Sequence, residues 1–361
     1  MFLGNTFVER AIDYGHIEAA LTTHWPQRTF TFRNLGWSGD DAQGRARRFF
    51  GPVEDGFNHL KTHVEGLKPN VIFVAYGAME SYEGREGLPV FEKHMDTLLD
   101  TLEATNARIV LVSTIPQENL GPPLPDPQKN NENLELYSHS IRSLAKKRNL
   151  WFIDLFAFME TVMEQSASPL TDNGLHLNDA GYRAAANGIL AGMGYAPTVK
   201  SIQLNARGHV ISASGTMPQQ VQPIGNGLLI TLRNDGLGDG QALMLSVRDL
   251  FAGSYALRLN GRNLGSYSSQ QWAAGIQLPW TPEIDQAGLL TKTILTKNEF
   301  YFHKWRPQNE TYIRGFRKHE QGQNASELEE FDPYIEVEEA KIADLKQPRF
   351  YTLQLQRVTE R

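Results

Sequence analysis

The sequence predicts an α/β protein: a parallel sheet with helices on both faces, then a small β unit, then a mostly helical C-terminal segment. Three observations carry this reading. Up to about residue 195, short β-like runs alternate with amphipathic stretches. From about Pro197 the charges thin out, Gly and Ser rise, and short alternating runs are broken by turn pairs. Near Pro282 the helical pattern resumes. The segments expected are therefore 1–195, 196–281 and 282–361.

The strand candidates of the first segment are residues 1–3, 29–34, 71–76, 108–114 and 151–154. Between them, residues 57–67, 90–105 and 131–149 place apolar side chains at helical spacing. Strands and helices alternating at this length read as βαβ units, whose binding residues gather at the carboxyl ends of the strands. In the second segment, residues 228–233, 243–247 and 255–259 alternate with period two. Asn234-Asp235-Gly236 and Asn260-Gly261 separate them as hairpin formers, so the segment reads as a small antiparallel unit. The third segment carries an aromatic and basic stretch over 300–318, turns acidic over 327–344 and ends in a strand-like run over 350–358.

Composition then bounds the chemistry. With 35 Lys+Arg against 41 Asp+Glu, the net charge of −6 argues against nucleic acid as a partner, which needs a basic surface. The absence of cysteine excludes disulfides, thiolate metal sites and cysteine nucleophiles together. The longest apolar runs are strand-sized, so no membrane span is expected. Met1-Phe2-Leu3 is an apolar stub that meets Gly4 at once, with no export signal; it reads as a trimmed N-terminus such as that of an exported precursor. Gly4, Gly36 and Gly39 form neither a phosphate loop nor a dinucleotide fingerprint, so no cofactor or metal is expected.

Four turns stand out. Gly4-Asn5-Thr6-Phe7 puts a hydroxyl at a strand-to-helix turn; read alone, it is an N-cap. Asn34-Leu35-Gly36-Trp37-Ser38-Gly39 is a glycine-rich loop whose backbone N–H groups can approach a ligand. Tyr76-Gly77-Ala78-Met79-Glu80-Ser81 follows the most hydrophobic strand and sets Glu80 beside a helix start, where a carboxylate is electrostatically favoured. Asp172-Asn173-Gly174-Leu175-His176 places a carboxylate shortly before a histidine, the arrangement that orients an imidazole as a general base. Its Asn173-Gly174 pair is also chemically prone to deamidation.

Taken together, in this order and spacing, the four turns of residues 1–190 resemble the blocks of the SGNH (GDSL-like) hydrolase superfamily. The resemblance implies a flavodoxin-like three-layer sandwich and an ester hydrolase, with acyl or acetyl groups on carbohydrate as the substrate class. It implies Thr6 as nucleophile, His176 as general base, and the Thr6 and Gly39 N–H groups as oxyanion donors, with Met79 at the third oxyanion position. Asp172, or less favourably Asn173, would orient the imidazole. The departures are substantial: the family has serine where Thr6 stands, asparagine where Met79 stands and aspartate where Asn173 stands. Loss of an oxyanion donor costs roughly 100- to 1,000-fold in turnover. A catalytically silent SGNH domain that binds a glycan or a partner is the rival reading. Asn5 and Glu80 join the candidate substrate contacts by position. From the later stretch come Trp305 and Tyr312 as stacking surfaces and Arg306, Arg317 and His319 as anion donors; packing and surface pairing explain the same residues.

Overall fold

The structure is a computed structural model that describes residues 1–195, 199–237, 242–313, 315–320 and 324–358. Pro197, where the sequence texture changes, and Gln321, at the end of the aromatic and basic stretch, lie outside the described residues. Strands β1 (Phe2–Gly4), β2 (Asn34–Gly36), β3 (Val71–Ala75), β4 (Arg108–Val112) and β5 (Trp151–Ile153) form one parallel sheet in the order β2-β1-β3-β4-β5. This is the flavodoxin-like order, and its reversal point lies at β1.

The helices of this region are α1 (Thr6–Arg10), α2 (His16–His24), α3 (Val53–Leu67), α4 (Gly84–Glu103), α5 (Gln128–Arg148), α6 (Leu155–Gln165) and α7 (Asp179–Gly192). Residues 72–75 of β3 are buried in succession because both faces of the sheet are covered. Ile72 and Val74 join a core with Leu60 and Val64 of α3, Phe91 and Met95 of α4, and Tyr137 and Ile141 of α5. On the opposite face Phe73 and Ala75 line one small cavity together with Phe7 and Val8 of α1, Ile17 of α2 and Ile189 of α7. A three-layer sandwich results.

The expected strand over 29–34 is corrected to Asn34–Gly36. The register sets Phe2 opposite Asn34, so residues 29–33 lie past the end of β1. Gly36 is required by close approach, since a Cβ there would sit 2.2 Å from the Glu9 backbone nitrogen. Helix α1 therefore packs directly on β2.

The later strands are β6 (Ser201–Asn205), β7 (Val210–Ser214), β8 (Thr216–Ile224), β9 (Gly227–Asn234), β10 (Met244–Arg248), β11 (Ser254–Leu259), β12 (Arg262–Ser268), β13 (Ile276–Gln277) and β14 (Tyr351–Arg357). They form a four-stranded sheet, β13-β10-β6-β7, and a five-stranded one, β12-β11-β14-β9-β8, around a core of their own. The antiparallel expectation needs two corrections: β6 and β10 pair in parallel across the long excursion through β7–β9, and Asn234-Asp235-Gly236 closes no hairpin, since β9 and β10 lie in different sheets. Asn260 and Gly261, at φ 46° and 86°, make the two-residue turn between β11 and β12. Helix α8 (Ser269–Ala274) interrupts the strands, and α9 (Pro282–Trp305), α10 (Glu310–Ile313) and α11 (Phe331–Leu345) supply the helical C-terminal region.

Two compact units comprise residues 1–18, 31–195 and 294–338, and residues 19–30, 196–293 and 339–361. Among the described residues no helix is long and apolar enough to cross a membrane.

One buried network fixes the loop after β2. Asp40 Oδ2 accepts from Arg47 Nε at 2.6 Å and from the Tyr76 hydroxyl at 3.0 Å, and Arg47 donates to the Leu35 carbonyl at 2.7 Å. Asp40 and Arg47 are both fully enclosed. Removing one partner of a buried pair strands the other charge, at about 3–5 kcal/mol. Arg47→Met is therefore expected to lose stability on that scale in urea unfolding; a loss within about 0.5 kcal/mol, the range of an ordinary surface change, would show that the pair does not hold this loop.

Candidate active site

Thr6, Gly39 and Met79 lie just beyond the carboxyl ends of β1, β2 and β3. Asn5 caps α1, its Oδ1 accepting from Phe7 N at 3.2 Å, which starts the helix at Thr6 directly after β1. Gly39, at φ 75° with open space before its Cα, donates its N–H to Thr6 Oγ1 at 3.2 Å. His176 lies in the loop between α6 and α7. Thr6, Arg10 and His176 together line two adjoining cavities of about 160 and 680 Å³. Met79 is half-exposed in the wall of the smaller one. Leu295, Glu299 and Phe302 of α9 line the larger.

The His176 loop is pinned from the loop after β4. The Glu118 carboxylate accepts from the backbone of Leu170 and Thr171 and from the Thr171 hydroxyl, the last at 2.6 Å, while Glu118 N donates to the Gly174 carbonyl at 2.8 Å. Within the loop, Asn173 Oδ1 accepts from Leu175 N at 3.1 Å and His176 N at 2.9 Å. These two donors fix which end of the amide is oxygen. The amide nitrogen, Nδ2, therefore faces His176 Nδ1 at 3.3 Å. A nitrogen that accepts from an amide carries no proton, so the neutral imidazole holds its proton on Nε2.

Asp172 does not sit at Nδ1; its carboxylate is exposed and pairs with Arg10 at 3.4 Å. The reason is local: the Asp172 N–H is committed to the His176 carbonyl at 2.9 Å, leaving Asn173 to curl under the ring. Partial burial holds the His176 imidazole below the ordinary histidine range, the Arg10 guanidinium adds to this, and the Asp172 carboxylate opposes it.

The remaining candidates separate. Glu80 is buried outside the cleft: its carboxylate accepts from Ala42 N and Gly77 N, each at 3.0 Å, tying the turns after β2 and β3 together. Trp305 is a core residue against Trp37 and His63. Arg306 is a structural cation, 3.6 Å from the Trp37 ring centroid, and bonds Glu9 Oε2 at 2.6 Å. Tyr312 stacks under Arg317, which pairs with Glu320, and His319 is exposed. A separate cavity of about 760 Å³, lined by Phe49, Phe50, His59 and Phe316, adjoins that stretch and contains neither Thr6 nor His176. The helix that lines the cleft from the later chain is α9.

Sequence reading missed Glu9, Arg10, Glu118 and Phe302. Glu9 Oε2 accepts from Ser38 N at 2.6 Å, so together with Arg306 it anchors the loop that presents Gly39. Glu9 and Arg10 lie three and four residues after Thr6, hence on its side of α1, which was a readable signal. Glu118 gave none.

Residues 5–184 match the GDSL-like lipase/acylhydrolase family, and this N-terminal region belongs to it. No curated protein matches the chain. Among solved structures, a gut microbial diltiazem-metabolizing enzyme is 17% identical and superimposes with a TM-score of 0.74 over 99% of this chain and 97% of its own. It shows the fold along the whole length. A catalytic mutant of an acetylxylan esterase from Geobacillus stearothermophilus is 18% identical, covering 54% of this chain and 93% of its own with a TM-score of 0.42. An alpha/beta hydrolase enzyme from the metagenome of Lake Arreo, Spain, is 19% identical with the same coverage and TM-score.

The electrostatics yield two tests. Arg10→Gln removes a cation that lowers the His176 pKa and should raise it, whereas Asp172→Asn removes an opposing anion and should lower it further. An NMR titration of the imidazole reads both signs, and shifts of the same sign would undo the assignment. Glu80 tests the fold. Burial pushes its carboxyl from 4.5 to about 7, against the pull of its backbone N–H partners. The folded state thus binds this proton more tightly, and the group's contribution to stability is full below pH 4.5 and is lost as pH rises to about 7. Glu80→Gln should flatten that decline in unfolding curves measured across this window.

Proposed function

We propose that the protein is an SGNH-type ester hydrolase that removes acyl groups, acetyl foremost, from hydroxyls of a carbohydrate or other small molecule. The observation that carries this reading is the Gly39 N–H at 3.2 Å from Thr6 Oγ1, in a cleft that His176 also lines. A hydroxyl with a backbone donor beside it is the start of an acyl-transfer site, since the donor serves the oxyanion that forms when the hydroxyl adds to a carbonyl. Thr6 Oγ1 attacks the ester carbon, His176 Nε2 takes its proton and returns it to the departing alcohol, and water then releases the acyl group by the same steps. The Thr6 and Gly39 N–H groups hold the oxyanion. One neighbour that shares the fold end to end is a diltiazem-metabolizing enzyme, which agrees with a small-molecule substrate.

The Asn173 amide favours a second reading, a silent domain that binds an ester or glycan without cleaving it. With its proton on Nε2, the neutral imidazole lacks there the lone pair that a base needs. In a serine protease the corresponding acid-to-amide change costs about 10,000-fold. Turnover is accordingly expected to be slow in the chain as it stands.

Restoration separates the readings. Asn173→Asp should raise hydrolysis of small acetyl esters, by up to about 10,000-fold, and Met79→Asn by up to about 100-fold through a new oxyanion donor. Thr6→Val in the Asn173→Asp background should return it to background. If both restored variants stay at background while folded, the silent reading replaces the hydrolase.

A further inference from the structure

We propose that Asn173 is a self-deamidation site, and that the aspartate formed there supplies the carboxylate partner that His176 lacks. The inference deepens the reading of His176 as the site's imidazole and rests on it.

Deamidation at an Asn-Gly pair begins when the glycine nitrogen attacks the asparagine Cγ. That attack needs a proton taken from the nitrogen, charge stabilised on Oδ1 and a proton delivered to the departing amine. Each need has a group in place. The Gly174 N–H donates to Thr171 Oγ1 at 3.0 Å, and the Thr171 hydroxyl donates to Glu118 Oε2 at 2.6 Å, a path from the attacking nitrogen to a carboxylate. Asn173 Oδ1 lies between the N–H groups of Leu175 and His176, at 3.1 and 2.9 Å, the arrangement of an oxyanion hole. The amine to be expelled, Nδ2, is 3.3 Å from His176 Nδ1, and the imidazolium form of that ring can protonate it. Gly174, at φ 82°, has no side chain in the way of its own nitrogen; a Cβ would meet the Glu118 carbonyl oxygen at 2.8 Å.

The atoms balance with water alone. The Gly174 N–Cγ bond forms and the Cγ–Nδ2 bond breaks. Ammonia leaves with a proton equivalent to the one Gly174 gave up, and a succinimide remains. Water then adds at Cγ and breaks the new C–N bond, giving an aspartate carboxylate at position 173 and restoring the Gly174 amide; the net change is amide plus water to carboxylate plus ammonium. Addition at the main-chain carbonyl instead gives isoaspartate, which moves the carboxylate off the side chain. The product carboxylate at this position accepts from Nδ1–H, reverses the tautomer and frees the Nε2 lone pair.

The chain carries its own reference pairs. Asn226-Gly227 and Asn260-Gly261 have the same local chemistry in hairpin turns, and at Asn260 the Oδ1 accepts from Thr352 N at 3.0 Å. The full-length protein is incubated in neutral buffer and sampled by peptide mapping, with aspartate and isoaspartate products separated. Position 173 is expected to convert about 10-fold or more faster than 226 and 260, mainly to aspartate. Thr171→Val should slow position 173 alone. Conversion at 173 no faster than at the reference pairs overturns the proposal, as does isoaspartate as the main product. Because Thr171→Val also alters a buried contact, Asn173→Asp provides a second measurement: the His176 pKa should rise, and an unchanged pKa also overturns it. Conversion and pKa rise with ester hydrolysis still at background support the modification and remove the hydrolase reading, so the two fail separately.

Discussion

Asp40, a carboxylate with no access to solvent, is the constraint on which the cleft depends. Its charge is met by Arg47, and Arg47 in turn donates to the Leu35 carbonyl of β2. Asp40 follows Gly39 directly, so the main chain that presents the Gly39 N–H cannot move without exposing a buried ion pair. Glu9 secures the other side of the same loop through Ser38 N, and Arg306 neutralises Glu9 while lying on Trp37. The cleft thus has a donor aimed at a hydroxyl because ionic contacts on both sides leave the loop little freedom.

The opposite wall is built by hydrogen bonds to backbone. Glu118 gathers the start of the His176 loop, and the Asx contacts of Asn173 close its tip. Those same contacts decide the electronic state of the imidazole, since they leave only the amide nitrogen to face Nδ1. One side chain therefore does two things: it shapes the loop and sets the tautomer. An aspartate in its place would keep the first, accepting the same two N–H groups, and reverse the second.

The α/β class was legible, and a candidate cleft could be placed, because both rest on short stretches of sequence. Apolar runs of strand length and helical periodicity gave β1, β3, β4 and β5 and helices α3 to α5, and the joint order and spacing of the four turns, through their resemblance to the SGNH blocks, pointed to Thr6, Gly39, Met79 and His176 as candidates. The β2 strand was misplaced because its bounds follow from the register against β1 and not from its own composition. The parallel pairing of β6 with β10 was hidden for the same reason, since hairpin signals describe neighbours in sequence only.

By itself, then, the sequence determined the layers, the chain order of the site and the chemical identity of its groups, because periodicity and turn chemistry act over a few residues. Tertiary structure decided which of two adjacent side chains, Asp172 or Asn173, faces the imidazole. It also placed Trp305 and Arg306 in packing, brought Glu118 to the His176 loop and brought α9 to the cleft. The first is settled inside a loop that Glu118 pins from dozens of residues away, and the others turn on where a ring or a helix arrives from dozens to hundreds of residues away. No local pattern encodes that arrival; it follows only when the sheet, the loops and the later helix are packed together.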